Sequence, residues 1–133
     1  MNMTEEEKKA IITFRFEKAL STLTEAEKSV TFEMYSSAAN RLYYAFYYAA
    51  SAALLSRDIT THTHSGLQSM IHLHFVKEGI LTTEDGILMR KLFTLRQESD
   101  YDDFMVATRE DVLPLIEPTK KLILKLKSIT GSN

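Results

Sequence analysis

Arg96, Asp100 and Tyr101 stand at i, i+4 and i+5 in the run Leu95-Arg96-Gln97-Glu98-Ser99-Asp100-Tyr101. On a helix the first two share a face and can pair directly. A guanidinium is planar, permanently charged and carries several donors in a fixed fork, so an arginine held by a carboxylate suits a phosphate or carboxylate ligand. The same spacing also serves as a plain helix-end ion pair, and the residues alone leave both readings open. A second group lies in Asn40-Arg41-Leu42-Tyr43-Tyr44-Ala45-Phe46-Tyr47-Tyr48, which holds four of the six tyrosines. Arg41, Tyr44 and Tyr48 form one helical stripe, and Asn40, Tyr43 and Tyr47 the adjoining one. Tyrosine faces stack on nucleic-acid bases and Arg41 adds charge to the same groove. The bland alternative is a packing face whose hydroxyls reach partners at the bundle edge.

The four histidines fall in two pairs, His62 with His64 and His72 with His74. Residues two apart on a helix point to nearly opposite sides, so neither pair makes a ready chelate, and no metal or other cofactor is expected. Asp102, Asp103, Glu110 and Asp111 make the segment after Tyr101 acidic, without the spacing of a calcium loop.

These side chains must be carried by helices. Only four Gly and two Pro punctuate 133 residues, a length that fits one domain spanning residues 1–133. Thr4 and Glu7 have capping-box spacing and open a first helix from about Glu5 to about Lys28, with a break or bend predicted where Thr24 and Glu27 repeat the signature. Ser36 or Ser37 is expected to cap a second helix running to about Arg57 through the tyrosines, its many alanines allowing close approach of a neighbour. A third is expected from His64 or Ser65 to a left-handed cap at Gly79, and a fourth from Thr82 or Thr83 to about Asp100. Thr108 with Asp111 opens the last, where Pro118 predicts a kink or a later start. The fold class is therefore all-α, an antiparallel up-and-down bundle of four to five helices.

Sixteen basic residues against eighteen acidic ones give a net charge of -2, so the global footprint of an extended nucleic-acid binder is missing, though a local basic cleft is allowed. The chain has no cysteine, no secretory pattern at its start and no run of ~20 apolar residues; a cytoplasmic protein without membrane contact is expected.

In order and spacing, Asn40-Arg41-Leu42-Tyr43-Tyr44-Ala45, Thr63-His64-Ser65-Gly66, Phe75-Val76-Lys77-Glu78-Gly79 and Leu95 to Tyr101 together resemble the HEPN superfamily (higher eukaryotes and prokaryotes nucleotide-binding), in an uncharacterised branch of small proteins. The resemblance implies a homodimer, RNA or nucleotide as ligand, and a nucleotidyltransferase partner in a prokaryotic toxin–antitoxin or nucleotide-linked regulatory system. Many members are metal-independent ribonucleases whose motif is an arginine followed four to six residues later by histidine. Arg96 aligns with that arginine, but Asp100, Tyr101 and Asp102 stand where the histidine would. This departure puts the usual ribonuclease chemistry in question. His64, in the Thr-His-Ser-Gly stretch, is the candidate substitute if the fold brings it to Arg96. The expected site is thus Arg96, Asp100, Tyr101 and His64, supported by Arg41 and Tyr44. The alternative is a noncatalytic interaction or nucleotide-binding module that partners a nucleotidyltransferase, with Tyr101 as a conceivable acceptor of a nucleotidyl group.

Overall fold

A computed structural model describes residues 3–131. Its helices are α1 (Glu5–Thr31), α2 (Tyr35–Leu55), α3 (His64–Ile71), α4 (Thr83–Tyr101) and α5 (Arg109–Ile129), with a wide π-type turn at His72–Val76 prolonging α3. There is no strand among the described residues, and the all-α bundle expected from the sequence is what forms.

Three of the helices start on reciprocal caps: Thr4 with Glu7, Thr82 with Asp85, and Thr108 with Asp111. In each, the threonine hydroxyl takes an orphan amide and the acid returns to the cap amide. Asp85 does more, because Lys125 of α5 donates to its Oδ2 at 2.7 Å. Burial pushes this carboxyl up, but the Lys125 bond and the Thr82 amide outweigh it and hold it below the ordinary range. Thr82→Ala is expected to cost about 1 kcal/mol. It should appear as a lower urea midpoint at unchanged slope; an unmoved midpoint would show that the cap contributes nothing.

Helix α1 does not break at Thr24. The Thr24 hydroxyl donates back to the Leu20 carbonyl at 3.2 Å instead of capping, and the buried Leu23 and Ala26 carry the packing face straight through. The helix ends in a Schellman motif. The Met34 amide reaches the Ser29 carbonyl (2.8 Å), the Glu33 amide reaches that of Val30 (2.9 Å), and Glu33 takes φ 58°. The chain then enters α2 at once, with Met34 as its N-cap and no side-chain cap, so Ser36 and Ser37 lie in the first turn and do not cap it.

Helix α5 likewise starts at Arg109 and runs on through both prolines, without the later start expected from Pro118. Each ring deletes one backbone bond, which frees the carbonyls of Glu110 and Pro114.

Helix α2 is the axis of the bundle and packs against each of the other four. That explains its composition. Ala38, Ala39, Ala45, Ala49, Ala50, Ala52 and Ala53 are all at most 1 % exposed. A helix with neighbours on every side has room for little larger. Leu42, Tyr43 and Phe46, each wholly buried, and Leu54 and Leu55 at its C-terminal end are the bulky exceptions.

After α3 the backbone widens. The Lys77 amide bonds the His72 carbonyl five residues back (2.8 Å), and the Phe75 carbonyl then accepts from both Ile80 (2.8 Å) and Leu81 (2.9 Å). Gly79 has φ 79°. This is the left-handed conformation expected of it. None of the helices is long and apolar enough to cross a membrane.

Candidate functional site: a caged arginine

Arg96 projects from the last two turns of α4 beside the buried Leu92 and Leu95, and is itself only 6 % exposed. A buried guanidinium must be hydrogen-bonded or it destabilises the fold. Here its Nε donates to Asp100 Oδ2 at 3.1 Å, and its Nη2 donates to the hydroxyls of Tyr44 (2.9 Å) and Tyr101 (3.1 Å). The guanidinium carbon also lies 5.5, 5.2 and 5.1 Å from the ring centres of Tyr43, Tyr44 and Tyr101. These distances are within cation–π range. The remaining amine, Nη1, bonds no described residue, and it is not among the sealed atoms left without a partner. That nitrogen is therefore not fully sealed from solvent.

Asp100 is held from the other side by Asn40, whose Nδ2 donates to the same Oδ2 at 2.9 Å. Asn40 Oδ1 in turn accepts from Nε (3.0 Å) and Nη2 (2.7 Å) of Arg41, and Arg41 Nη1 lies 3.9 Å from Glu25. This relay ties α1, α2 and α4 together and fixes the orientation of the Arg96 partner. Arg41 also sits over the Tyr44 ring, 5.5 Å from its centre, so it acts on the arginine centre through Asn40 and Tyr44.

His64 reaches the same centre from α3. Thr63 caps that helix by accepting the Gly66 amide at 2.9 Å, and a Cβ at Gly66 would come within 2.8 Å of the Thr63 hydroxyl. The Thr-His-Ser-Gly run thus has a local physical cause: the glycine leaves room for the cap that aims the histidine. The His64 ring lies among Tyr43, Tyr44 and Tyr47, with centres 5.6, 5.9 and 5.1 Å away, and Nδ1 is 2.8 Å from the Tyr43 hydroxyl.

The proton on that bond can be assigned. Burial pushes the Tyr43 phenol far up, so it stays protonated, and His64 Nδ1 is the hydroxyl's sole described partner. The hydroxyl donates to Nδ1, since the reverse would leave a buried O–H unpaired. Neutral His64 therefore carries its own proton on Nε2, the nitrogen with no described partner. Burial and then the Arg96 charge push its pKa below the ordinary value.

Below about pH 6.5 the unfolded chain takes up a proton at His64 that the folded chain refuses. The unfolded state then binds more protons, so the His64 part of stability is present at pH 7 and is lost as pH falls from there toward the lower folded value. An NMR titration of the His64 ring is expected to give a midpoint below 6.5, and His64→Gln to remove this part of the acid destabilisation. A midpoint at or above 6.5 would contradict the burial and charge assigned to it.

All six residues expected from the sequence make bonds or ring contacts in one cluster, Arg41 at its margin through Asn40 and the Tyr44 ring. Asn40 and Tyr43 were not in that expectation, although both flank it in sequence. Their signal was the adjoining stripe on α2, which reads as packing until α3 and α4 are placed. His62, His72 and His74 take no part in it. There is no cluster of His, Asp or Glu fit for a metal ion among the described residues. A cleft of about 680 Å³ lies elsewhere, between α3 and α4, lined by Ser65, Gln68, His72, Arg90 and Phe93 among others. Of its lining, Phe93 touches the arginine centre, its ring centre 5.8 Å from that of Tyr43.

Fold and centre together define a small helical bundle whose axial tyrosine helix encloses a nearly buried arginine. The chain belongs to the HEPN domain family, which matches residues 12–129. It is 33 % identical over 106 residues to a "UPF0332 protein" of Thermotoga maritima, covering 80 % of each chain. A Methanocaldococcus jannaschii protein named "Putative toxin" is 29 % identical over 124 residues, 88 % of this chain and 84 % of that one. The crystal structure of TT1696 from Thermus thermophilus superimposes with a TM-score of 0.75 at 17 % identity, covering 89 % of this chain and 97 % of that one, a likeness of fold.

Proposed function

We propose that the protein is a toxin-class HEPN protein of a prokaryotic toxin–antitoxin or nucleotide-linked regulatory system, and that it receives a phosphate group of RNA or a nucleotide at Arg96. The observation that carries this reading is the free side of the caged guanidinium. Three of its donors are spent inside the protein on Asp100, Tyr44 and Tyr101, while Nη1 bonds no described residue and is not sealed from solvent. His64 Nε2–H supplies a further donor from the same tyrosine wall. Donors fixed in place around a developing charge are what phosphoryl chemistry asks of a protein. The arrangement suits charge stabilisation better than proton abstraction, because neutral His64 offers a proton at Nε2 and no lone pair. In the cleaving version, a transesterification, the ribose 2′ oxygen attacks phosphorus and loses its proton to solvent. The bond to the 5′ oxygen breaks, and that oxygen takes up a proton, leaving a 2′,3′-cyclic phosphate and a 5′ hydroxyl. Arg96 and His64 hold the phosphoryl oxygens throughout.

A homodimer is part of the reading. Tyr101, Phe104 and Val106 are 67, 99 and 77 % exposed, and this apolar edge starts at a residue bonded to Arg96. A second copy is the cover we assign to it, and light scattering that gives a monomer at tens of micromolar would remove this part.

The test of the central claim uses short labelled single-stranded RNAs with chelator present. Binding, or cleavage to cyclic-phosphate ends, is the expected result; neither binding nor cleavage across a mixed-sequence pool would sink it.

A second reading is favoured by one specific observation, that Asp100 and Tyr101 occupy the places after Arg96 where the family's histidine stands. Tyr101 is exposed, with its hydroxyl 3.1 Å from Arg96 Nη2. A nucleotidyltransferase partner would join the Tyr101 oxygen to the α-phosphorus of a nucleoside triphosphate, with loss of the hydroxyl proton and departure of pyrophosphate. Mass spectrometry after incubation with the transferase and triphosphate would register that addition on Tyr101 and its absence in Tyr101→Phe.

A further inference from the structure

On the opposite flank of Tyr47 lies a groove of about 430 Å³, walled by α1, α2 and the segment between α2 and α3. Arg15 and Lys18 of α1 face it at i, i+3, Tyr47 and Tyr48 of α2 form its aromatic wall, and Thr60 and Thr61 supply hydroxyls at its rim. The two cations are not neutralised from within the chain. No described carboxylate makes an ion pair with either. Each is instead held by an uncharged group: Arg15 Nη1 donates to the Ser51 carbonyl at 3.3 Å, and Lys18 Nζ lies 4.6 Å from the centre of the Tyr48 ring. In a chain of net charge -2, two adjacent cations left over a pair of tyrosines form a local positive site that the total conceals.

The lining sets the class of ligand. A volume of this size accepts a molecule of mononucleotide scale. Aromatic faces take a base by stacking, and the cations with the threonine hydroxyls take its phosphate. Position adds a second constraint. Tyr47 lines this groove and also packs on His64, 5.1 Å between ring centres, so one side chain joins the groove to the arginine centre.

We propose that the groove is a nucleotide subsite, separate from the Arg96 centre, which holds one nucleotide unit of a single-stranded RNA whose continuation passes Tyr47 to reach Arg96. The proposal rests on the reading of Arg96 as a phosphate receiver and adds where the strand is gripped. Its affinity falls with salt, because Lys18 is exposed and its phosphate contact displaces counterions.

The test measures fluorescence anisotropy of a labelled oligoribonucleotide with wild type, Lys18→Glu, Tyr48→Leu and Arg96→Ala, alongside AMP titration followed by amide shifts. Circular dichroism of each variant excludes misfolding. Lys18→Glu is expected to weaken RNA binding about tenfold or more, as a charge reversal at a phosphate contact does. Tyr48→Leu should weaken it several-fold, and AMP should shift the amides of Lys18, Tyr48, Thr60 and Thr61. If Arg96→Ala loses binding while Lys18→Glu and Tyr48→Leu bind like wild type, the subsite is overturned and the Arg96 reading stands. If RNA is neither bound nor cut, the Arg96 reading fails for RNA and the RNA subsite is overturned with it, whatever AMP does in the groove.

Discussion

Arg96→Ala is expected to lower RNA cleavage by about 10²–10³-fold, the usual effect of removing a fixed donor from a charge-stabilising site. If the wild type binds without cutting, the same variant should lose the greater part of its binding instead. The size follows from how the side chain is held. An arginine at the surface reorganises freely, whereas this one has Asp100, Tyr44 and Tyr101 fixing three donors and so setting the bearing of the whole planar fork, and its loss removes a preset array. The fold will feel it too. Deleting one member of a buried ion pair leaves the other uncompensated. The side chain of Asp100 is 23 % exposed and keeps its bond to Asn40. That moderates the cost to about 2 kcal/mol. Arg96→Lys separates the two effects. It keeps the charge but not the planar fork, so it should restore more stability than activity. RNA cleavage undiminished in Arg96→Ala, from a protein free of contaminating nuclease, would leave the arginine as a structural ion pair.

The largest effect on stability is expected from Phe46→Ala, at about 3–5 kcal/mol. Phe46 is wholly buried at the midpoint of the axial helix, and its neighbours one turn on are Ala49 and Ala50. A cavity relaxes when long side chains can swing into it, and alanines cannot. The hole should therefore stay open, and the melting temperature should fall by about 10 °C or more. Phe46→Leu fills most of the space and is expected to cost less than about half as much. Equal melting of Phe46→Ala and wild type would mean that the core around α2 is looser than its close alanine contacts imply.

Much of the bundle was legible because helix starts are local chemistry. The pairs Thr4 and Glu7, and Thr108 and Asp111, mark real starts, since a capping box is written within one turn of chain, and of Thr82 and Thr83 it is the first that caps α4. The false break at Thr24 has the same spelling as a true cap. What decides between them is whether the helix has buried contacts on both sides of the threonine, and Leu23 and Ala26 belong to the tertiary fold. The start of α2 is silent for a related reason: a Schellman turn built on Glu33, a residue that rarely takes positive φ, leaves no glycine to announce it. In the site, the Arg96 and Asp100 pair was readable from spacing alone. That His64 would join the tyrosines around Arg96 was not, because it stands on a different helix far back in the chain and only the packing of α3 on α2 closes that distance. The groove at Arg15 and Lys18 leaves no local signature, because cations beside an apolar stripe read as the ordinary solvated flank of an amphipathic helix.

The wide turn at His72–Val76 governs the phase of the chain beyond it. Leu67, Ile71 and Phe75 are all buried and spaced by four. An α-helix completes its turn in about 3.6 residues, so each such step overshoots. A column of this kind drifts off its target within two steps. A turn closed over five residues advances less per residue and winds the excess back, which returns Phe75 to the line of Leu67. The segment works like the vernier on an instrument, spending one residue of length to correct an angle. Its correction is handed directly to the next turn through the Phe75 carbonyl, and from there to the Thr82 cap that launches α4. A single deletion between His72 and Val76 is therefore expected to turn Phe75 out of the column of Leu67 and Ile71 and to disturb the turn that leads to the Thr82 cap, without touching any residue that bonds Arg96.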